Sequence, residues 1–155
     1  MGAHDVRLVL DFLNTIDIEQ GSDDLQTEAS WLAWTRARQL RESNLVHARA
    51  VRDALRATLG DPGSNPSELA EPLHVSLVAG LPTLTGLDAV GSVLAAAARL
   101  AVLGEWERFK ICPADTCHWA FFDRSRNRSR TWCSMQVCGN REKARAWRER
   151  ARATG

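Results

Sequence analysis

The chain has 155 residues, an apolar fraction of 45% and a formal net charge of +1 at pH 7. This length suits one compact unit or a domain with a small module, and the apolar fraction is enough for a real core. No run approaches the roughly eighteen apolar residues of a membrane span. The first residues, Met-Gly-Ala-His-Asp-Val-Arg, lack the apolar core of a signal peptide. We therefore expect a cytoplasmic protein that has no membrane contact.

The small net charge hides an acidic part and a basic part. Residues 1–108 carry nine arginines and fifteen Asp/Glu, which gives −6, whereas residues 109–155 carry eleven Lys/Arg and four Asp/Glu, which gives +7. Four thiolates with one Zn²⁺ would lower the second value to about +5. The C-terminal part should therefore attract polyanions, and the N-terminal part should not.

The N-terminal part has the periodicity of a helical domain. Apolar spacing predicts helices over residues 6–18, 27–41, 45–59 and 88–103, and alternation predicts a β-hairpin over residues 73–85. The helix over 88–103 is apolar nearly all round, so we expect it at the centre of the domain.

Several side chains of this part have two interpretations. Local hydrogen bonding or capping is the ordinary role of polar residues that end an apolar helix, and two tryptophans one turn apart are usually core. Arg49, Arg52 and Arg56 form a basic stripe on the third helix, which is predicted to be a solvated face. A small ligand pocket is the alternative for four residues: Asn14, Thr15, Trp31 and Trp34.

The four cysteines all lie in the C-terminal part and form two C-x4-C pairs that fifteen residues separate: Cys112, Cys117, Cys133 and Cys138. Each pair can chelate one ion from one loop, and four thiolates suit a closed tetrahedral shell around structural Zn²⁺. Two disulfides and an iron–sulfur cluster are the alternatives, and His118 could replace a cysteine. Zinc-bound thiolates could also serve as a redox switch.

No enzyme is predicted. A shell of four cysteines leaves no open coordination position for a substrate. The sequence also has no nucleophile–base pair and no glycine-rich phosphate loop.

Basic residues surround the cysteines. The loop between the pairs has an arginine at every second position, and an extended loop would send these side chains to one side. A helix that starts near Asn140 is predicted to pack its Ala144, Trp147 and Ala151 face on the module and to expose an arginine face. Ten residues are candidates for nucleic-acid contacts: Arg124, Arg126, Arg128, Arg130, Asn140, Arg141, Lys143, Arg145, Arg148 and Arg152. An ion pair with Asp123 is the alternative for Arg141.

Two stretches carry family resemblances. The segment Cys133-x4-Cys138-Gly139-Asn140-Arg141, with Trp132 before it and Phe121-Phe122-Asp123 upstream, resembles the CGNR zinc finger over about residues 108–152. Leu10-Asp11-Phe12-Leu13-Asn14-Thr15, Trp31-Leu32 and Arg52-x3-Arg56 resemble the ABATE domain, which usually precedes this finger. The resemblance implies a bacterial, stress-induced transcriptional regulator whose finger binds DNA.

We therefore expect a mainly α protein with a small β-hairpin. An ABATE-like helical domain is predicted at residues 1–107, and a CGNR-type zinc finger, made of a short β-hairpin and a C-terminal helix, at residues 108–155. The predicted function is that of a DNA-binding transcriptional regulator with structural Zn²⁺. The alternative is an accessory module that binds RNA polymerase or another acidic protein without DNA readout. The opposite charges of the two parts also permit a homo-oligomer.

Overall fold

The computed structural model describes residues 2–153. Over this range the chain forms five α-helices and three two-stranded antiparallel sheets. The helices are α1 (Gly2–Leu13), α2 (Glu28–Ala37), α3 (Leu45–Thr58), α4 (Ala89–Val102) and α5 (Asn140–Ala153). The sheets are β1 (Ile16–Asp17) with β2 (Ser22–Asp23), β3 (His74–Val78) with β4 (Leu81–Thr85), and β5 (Phe109–Ile111) with β6 (Ala120–Phe122). The prediction of a mainly α fold with small hairpins is confirmed.

Helices α1, α3 and α4 enclose the main core, and α4 is buried along most of its length, as predicted. The carboxylate of Asp88 accepts the Gly91 N–H at 2.9 Å and caps the start of α4. Helix α1 ends at Leu13, earlier than predicted. The cause is local, because the Thr15 hydroxyl donates to the Phe12 carbonyl at 2.8 Å, after which Ile16 pairs with Asp23 in a strand. No helix within residues 2–153 is both long and apolar enough to cross a membrane.

The two tryptophans of α2 belong to the core. Trp31 and Trp34 are buried and stack with their ring centroids 5.1 Å apart, and Phe12 meets Trp34 edge-on at 5.8 Å. The Trp31 indole donates to the Ser43 carbonyl at 2.7 Å. Protein atoms therefore surround both rings, which supports the core interpretation of these tryptophans over the alternative of a ligand pocket.

The prediction of a solvated basic stripe on α3 is wrong. Arg52 and Arg56 are buried, and Arg49 is half-buried. Arg52 donates to the Asp23 carboxylate at 2.6 Å and to the Thr15 hydroxyl at 3.3 Å. The guanidinium groups are buried because carboxylates and carbonyls from neighbouring segments satisfy their N–H donors.

Arg56 connects three parts of the chain. Its Nε donates to Asp61 Oδ2 at 2.7 Å, its Nη1 to the Leu13 carbonyl at 2.8 Å and its Nη2 to the His118 carbonyl at 2.7 Å. Burial alone would raise the pKa of Asp61, but hydrogen bonds from Ser64 and Arg56 hold that pKa below its ordinary value. One planar side chain thus ties α3 to the end of α1 and to the loop before β6.

Asn14 makes a second connection to the same loop. Its side-chain amide donates to the Ala120 carbonyl at 2.9 Å, and its side-chain carbonyl accepts the Ala120 N–H at 2.8 Å. The Asn14 amide therefore acts as a backbone unit beside β6, which leaves no support for its role in a ligand pocket. We call these contacts of Asn14 and Arg56 with residues 118–120 the joint.

The β5–β6 sheet lies against the helical part without a flexible linker. Phe109 and Ala120 are members of the main core, whereas Phe121 packs in a second, smaller core with the cysteines. The division of the chain between residues 107 and 108 stays a prediction, because the first strands of the second unit complete the core of the first.

Replacement of Arg56 by methionine should destabilise the protein strongly. The change leaves Asp61 buried without its cation and leaves two buried carbonyls without donors, and breaking a buried pair in this way costs about 3–5 kcal/mol. Urea denaturation at pH 7 measures the loss.

Because the folded-state pKa of Asp61 is low, its ionised carboxylate stabilises the native state above about pH 4. The difference between variant and parent should therefore narrow as the pH falls through the folded-state pKa.

An exposed arginine on α2 provides the matched control. Arg36→Met removes a guanidinium from the surface, and it should change the unfolding free energy by less than about 0.5 kcal/mol. Equal effects of the two substitutions would contradict the structural role assigned to Arg56.

Candidate metal centre and basic residues

The four cysteines converge in the structure. Their Sγ atoms all lie within 4.8 Å of one another, and two of the pairs, Cys117 with Cys133 and Cys133 with Cys138, are 3.5 and 3.6 Å apart. Zn–S bonds of about 2.3 Å in a tetrahedron place sulfurs about 3.8 Å apart, whereas a disulfide needs about 2.05 Å. The arrangement therefore fits one tetrahedral Zn²⁺ and excludes disulfides between these cysteines in this structure.

The protonation chemistry of the cluster fits a cation as well. Burial and the neighbouring thiols of Cys117 and Cys112 raise the pKa of Cys138 to about 11. Burial and the other thiols raise the pKa of Cys133 too. The four thiols therefore cannot all ionise in this volume unless a positive charge is present. A divalent metal ion supplies that charge.

Residues 133–140 form a tight structure around the second cysteine pair. A π-helical turn, Met135–Gly139, leads directly into α5. The backbone φ of Gly139 is not in the left-handed region, so any preference for glycine here comes from close side chains and not from backbone conformation. A Cβ at this position would lie 2.5 Å from Met135 Sδ and 3.1 Å from the Trp132 ring. The turn contains Cys138 and continues directly into α5, so the first residues of α5 lie next to the cysteine cluster.

Asp123 and Lys110 organise the arginine loop. The buried Asp123 carboxylate accepts from Lys110 Nζ at 2.7 Å, from the Ser125 N–H at 2.8 Å and from the Arg130 N–H at 2.9 Å. Burial alone would raise the pKa of Asp123, but these hydrogen bonds hold it well below its usual range. Lys110 also donates to the carbonyls of Arg128 and Arg130, at 2.6 and 2.8 Å. The loop is therefore closed upon itself, so the one-sided arrangement of arginines that an extended loop would give does not apply.

Two of the loop arginines bind their own chain. Arg128 has a backbone φ of 51° and pairs with Glu107. Arg130 lies over the Phe121 ring, with its guanidinium carbon 4.8 Å from the ring centroid, and donates to the carbonyls of Trp132 and Cys133. Both guanidinium groups stabilise the loop and are less available to an outside anion.

Arg141 extends the joint, and its predicted alternative pairing with Asp123 is wrong. Its Nη2 donates to Glu19 Oε1 at 2.9 Å, and its Nη1 donates to Thr116 Oγ1 at 3.1 Å. Glu19 lies in the loop between β1 and β2, so the ion pair links the start of α5 to the helical part. Asp123 is instead saturated by Lys110 and by backbone N–H groups.

Helix α5 differs from the prediction in its packing. None of its described residues is buried, and 66% of the surface of Trp147 is exposed. The helix extends from the metal site instead of folding back on the finger. Arg145 is held by Glu142 at 2.8 Å, and the Asn140 amide donates to the Gln136 carbonyl at 3.2 Å.

The remaining candidates have no acidic partner among the described residues. Arg124 lies over the Phe122 ring at 5.5 Å and forms no ion pair within residues 2–153. Four others are exposed, and none of them forms an ion pair with a described residue. We call these five residues the unpaired cations: Arg124, Arg126, Lys143, Arg148 and Arg152.

The sequence did not reveal the contacts that position the finger. Periodicity placed Arg56 on an outer face, because the pattern contains no information about Asp61 or the His118 carbonyl. Lys110 was not singled out either. The only available signal was the alternation of this lysine with Phe109 and Ile111, whereas its position opposite Phe121 is visible only in the structure.

Two family models match the chain, one over its helical part and one over its cysteine-containing part. A family model described as "CGNR zinc finger" matches residues 108–151. A second, named ABATE and described as "Putative stress-induced transcription regulator", matches residues 6–120. The matches overlap over residues 108–120, which include β5 and the first cysteine pair. A search of curated proteins found no match. The cysteine geometry and the zinc-finger match together assign structural Zn²⁺ as the cofactor.

Removal of the metal should unfold the finger. We expect one zinc per chain by elemental analysis, and a fall in the melting temperature when a chelator is added, because binding free energy is folding free energy in such sites.

Cys133→Ser should lower zinc affinity by at least about tenfold, whereas Asp115→Asn, in the exposed part of the first cysteine loop, should not. Affinity should rise with pH, because binding displaces protons from cysteines such as Cys138. Full thermal stability of the metal-free chain would contradict this assignment.

Proposed function

Because the chain belongs to the ABATE family, we propose that it is a cytoplasmic, DNA-binding transcription regulator whose zinc finger presents a basic surface to duplex DNA. The observation that carries the proposal is the set of unpaired cations. Buried or exposed acids neutralise many arginines in this protein, yet these five have no acidic partner among the described residues. An anion outside the chain is the natural partner for them.

The form of α5 supports nucleic acid as that anion. The helix exposes its residues to solvent and extends from the metal site, so a groove of DNA can approach it without rearrangement of the finger. Its basic side chains Lys143, Arg148 and Arg152 lie at different angles around the axis. Phosphates on both sides of a groove are therefore within the reach of such a helix.

The joint supports a fixed orientation of this helix. Arg56 and Asn14 hold the loop before β6, and Arg141 ties the first turn of α5 to Glu19. Arg141 and Arg130 then act as positioning residues, and direct phosphate contacts fall to the unpaired cations. This narrows the ten sequence candidates to five primary ones.

One observation favours the alternative of a protein partner. Trp147 is exposed on α5, and Met135 and Val137 expose about half of their surfaces near its start. Tryptophan and methionine are enriched in protein interfaces. An acidic protein, such as a subunit of RNA polymerase, would use these apolar side chains together with the cations.

Salt dependence of DNA binding tests the proposal. Binding of zinc-loaded protein to a mixed-sequence duplex, measured by fluorescence anisotropy, should weaken steeply as salt increases, because each neutralised phosphate releases counterions. The double variant Arg148→Gln/Arg152→Gln should bind more weakly. If both residues contact phosphates, the slope of log K against log salt should decrease by about 1.8.

The exposed Arg36 on α2 is the matched control, since its neutralisation changes net charge without touching α5. Arg36→Gln should leave the slope unchanged. Salt-independent binding, or no binding to any duplex, would refute DNA recognition. Loss of protein binding in Trp147→Ala, with no DNA binding by the parent, would support the accessory module instead.

A further inference from the structure

The β3–β4 hairpin exposes its apolar face. The register pairs Val75 with Leu84 and Leu77 with Pro82, which places these four side chains on one face. Val75 and Leu77 expose 73% and 77% of their surfaces. The other face carries Ser76, Thr83 and Thr85, which are half-buried, and, next to the turn, Val78 and Leu81, which are exposed. Away from the turn, β3 thus reverses the usual arrangement, in which an antiparallel sheet turns its apolar face to the core and its polar face to water, whereas Leu84 on β4 is half-buried.

One edge of this hairpin is free and the other is blocked. Antiparallel strands alternate between residue pairs that exchange hydrogen bonds and pairs that do not. Pro82 has no N–H, so the Leu77–Pro82 pair is of the second kind, as is Val75–Leu84 two residues away. The backbone groups of these residues therefore point away from the ladder. On β4 the edge lacks the Pro82 donor, and Arg99 occupies the Leu84 carbonyl.

On β3 the corresponding groups lack partners. The N–H and C=O groups of Val75 and Leu77 form no hydrogen bond with any residue within 2–153. Natural edge strands are usually protected by charges, prolines or covering segments. Here residues 72–87 contain no Asp, Glu, Lys or Arg, although such residues make up 25% of the chain.

We propose that β3 pairs antiparallel with β3 of a second copy of this chain and so forms a dimer. An uncharged strand is complementary to itself, because a two-fold axis places like residues near each other and no like charges then meet. A charged partner surface, by contrast, would find no counter-charge on this segment. The pairing would also join two two-stranded sheets, each marginal alone, into one of four strands.

The backbone geometry specifies the register. An axis through Ser76 places Val75 opposite Leu77 of the second copy, and these two residues carry the outward N–H and C=O groups that form a hydrogen-bonded pair. Their side chains then lie on the same apolar face. Val75 and Leu77 of both copies form two apolar cross-strand pairs, one on each side of the axis.

Sedimentation velocity of the zinc-loaded full chain, without DNA, tests the proposal independently of the proposed function. The parent should be a dimer at micromolar concentrations and should remain one at about 0.5 M salt, where surface charge attraction is largely screened. Leu77→Lys should raise the dimer dissociation constant by at least about tenfold, because it places a charge in the pair. Its circular dichroism and zinc content should match those of the parent.

Val46→Lys is the matched control, since Val46 is an apolar residue on α3 with 71% exposure. This variant should stay dimeric. A monomeric parent, or a Leu77→Lys variant that dimerises as the parent does, would overturn the proposal. A dimer that dissociates as salt increases would overturn it as well, and would indicate head-to-tail contact between the acidic and basic parts.

Discussion

The buried guanidinium of Arg56 is the constraint on which the arrangement of the two parts depends. It donates at once to the last turn of α1, to Asp61 and to the loop that follows Cys117. A planar cation with several fixed donors can satisfy three acceptors in one plane, which an apolar side chain cannot do. Asn14 and Arg141 add polar contacts across the same boundary. No flexible linker therefore separates the finger from the helical part. The metal site and the basic residues have a defined orientation relative to that part.

This constraint divides the basic residues by task. Arg52, Arg56, Arg128, Arg130 and Arg141 use their donors within the protein. The metal site holds the π-helical turn that begins α5, while Asp123 and Lys110 close the loop between the cysteine pairs. What remains for an external anion is a smaller set of side chains. The proposed role in DNA binding rests on that set. The excess of positive charge over residues 109–155 favours a negatively charged partner.

The sequence predicted the elements better than their environments. Two C-x4-C pairs were sufficient to predict the metal ligands, because the spacing of ligands is a local property. The apolar pattern around Val93 predicted the central helix for the same reason. Arg56 was predicted to be exposed and is buried, whereas Trp147 was predicted to be packed and is exposed. A helical period separates polar from apolar faces but contains no information about what covers them. Burial of Arg56 depends on acceptors that include the distant Leu13 and His118 carbonyls, and exposure of Trp147 follows from the absence of packing on the described residues of α5.

We propose that zinc organises a basic surface that binds duplex DNA. Selection of bound duplexes from a random pool, with zinc-loaded protein and in parallel with protein treated with a chelator, tests it most directly. We expect the zinc-loaded protein alone to recover DNA, with enrichment of one motif if α5 reaches base edges. Equal recovery by the chelated protein, or no recovery by either, would contradict it.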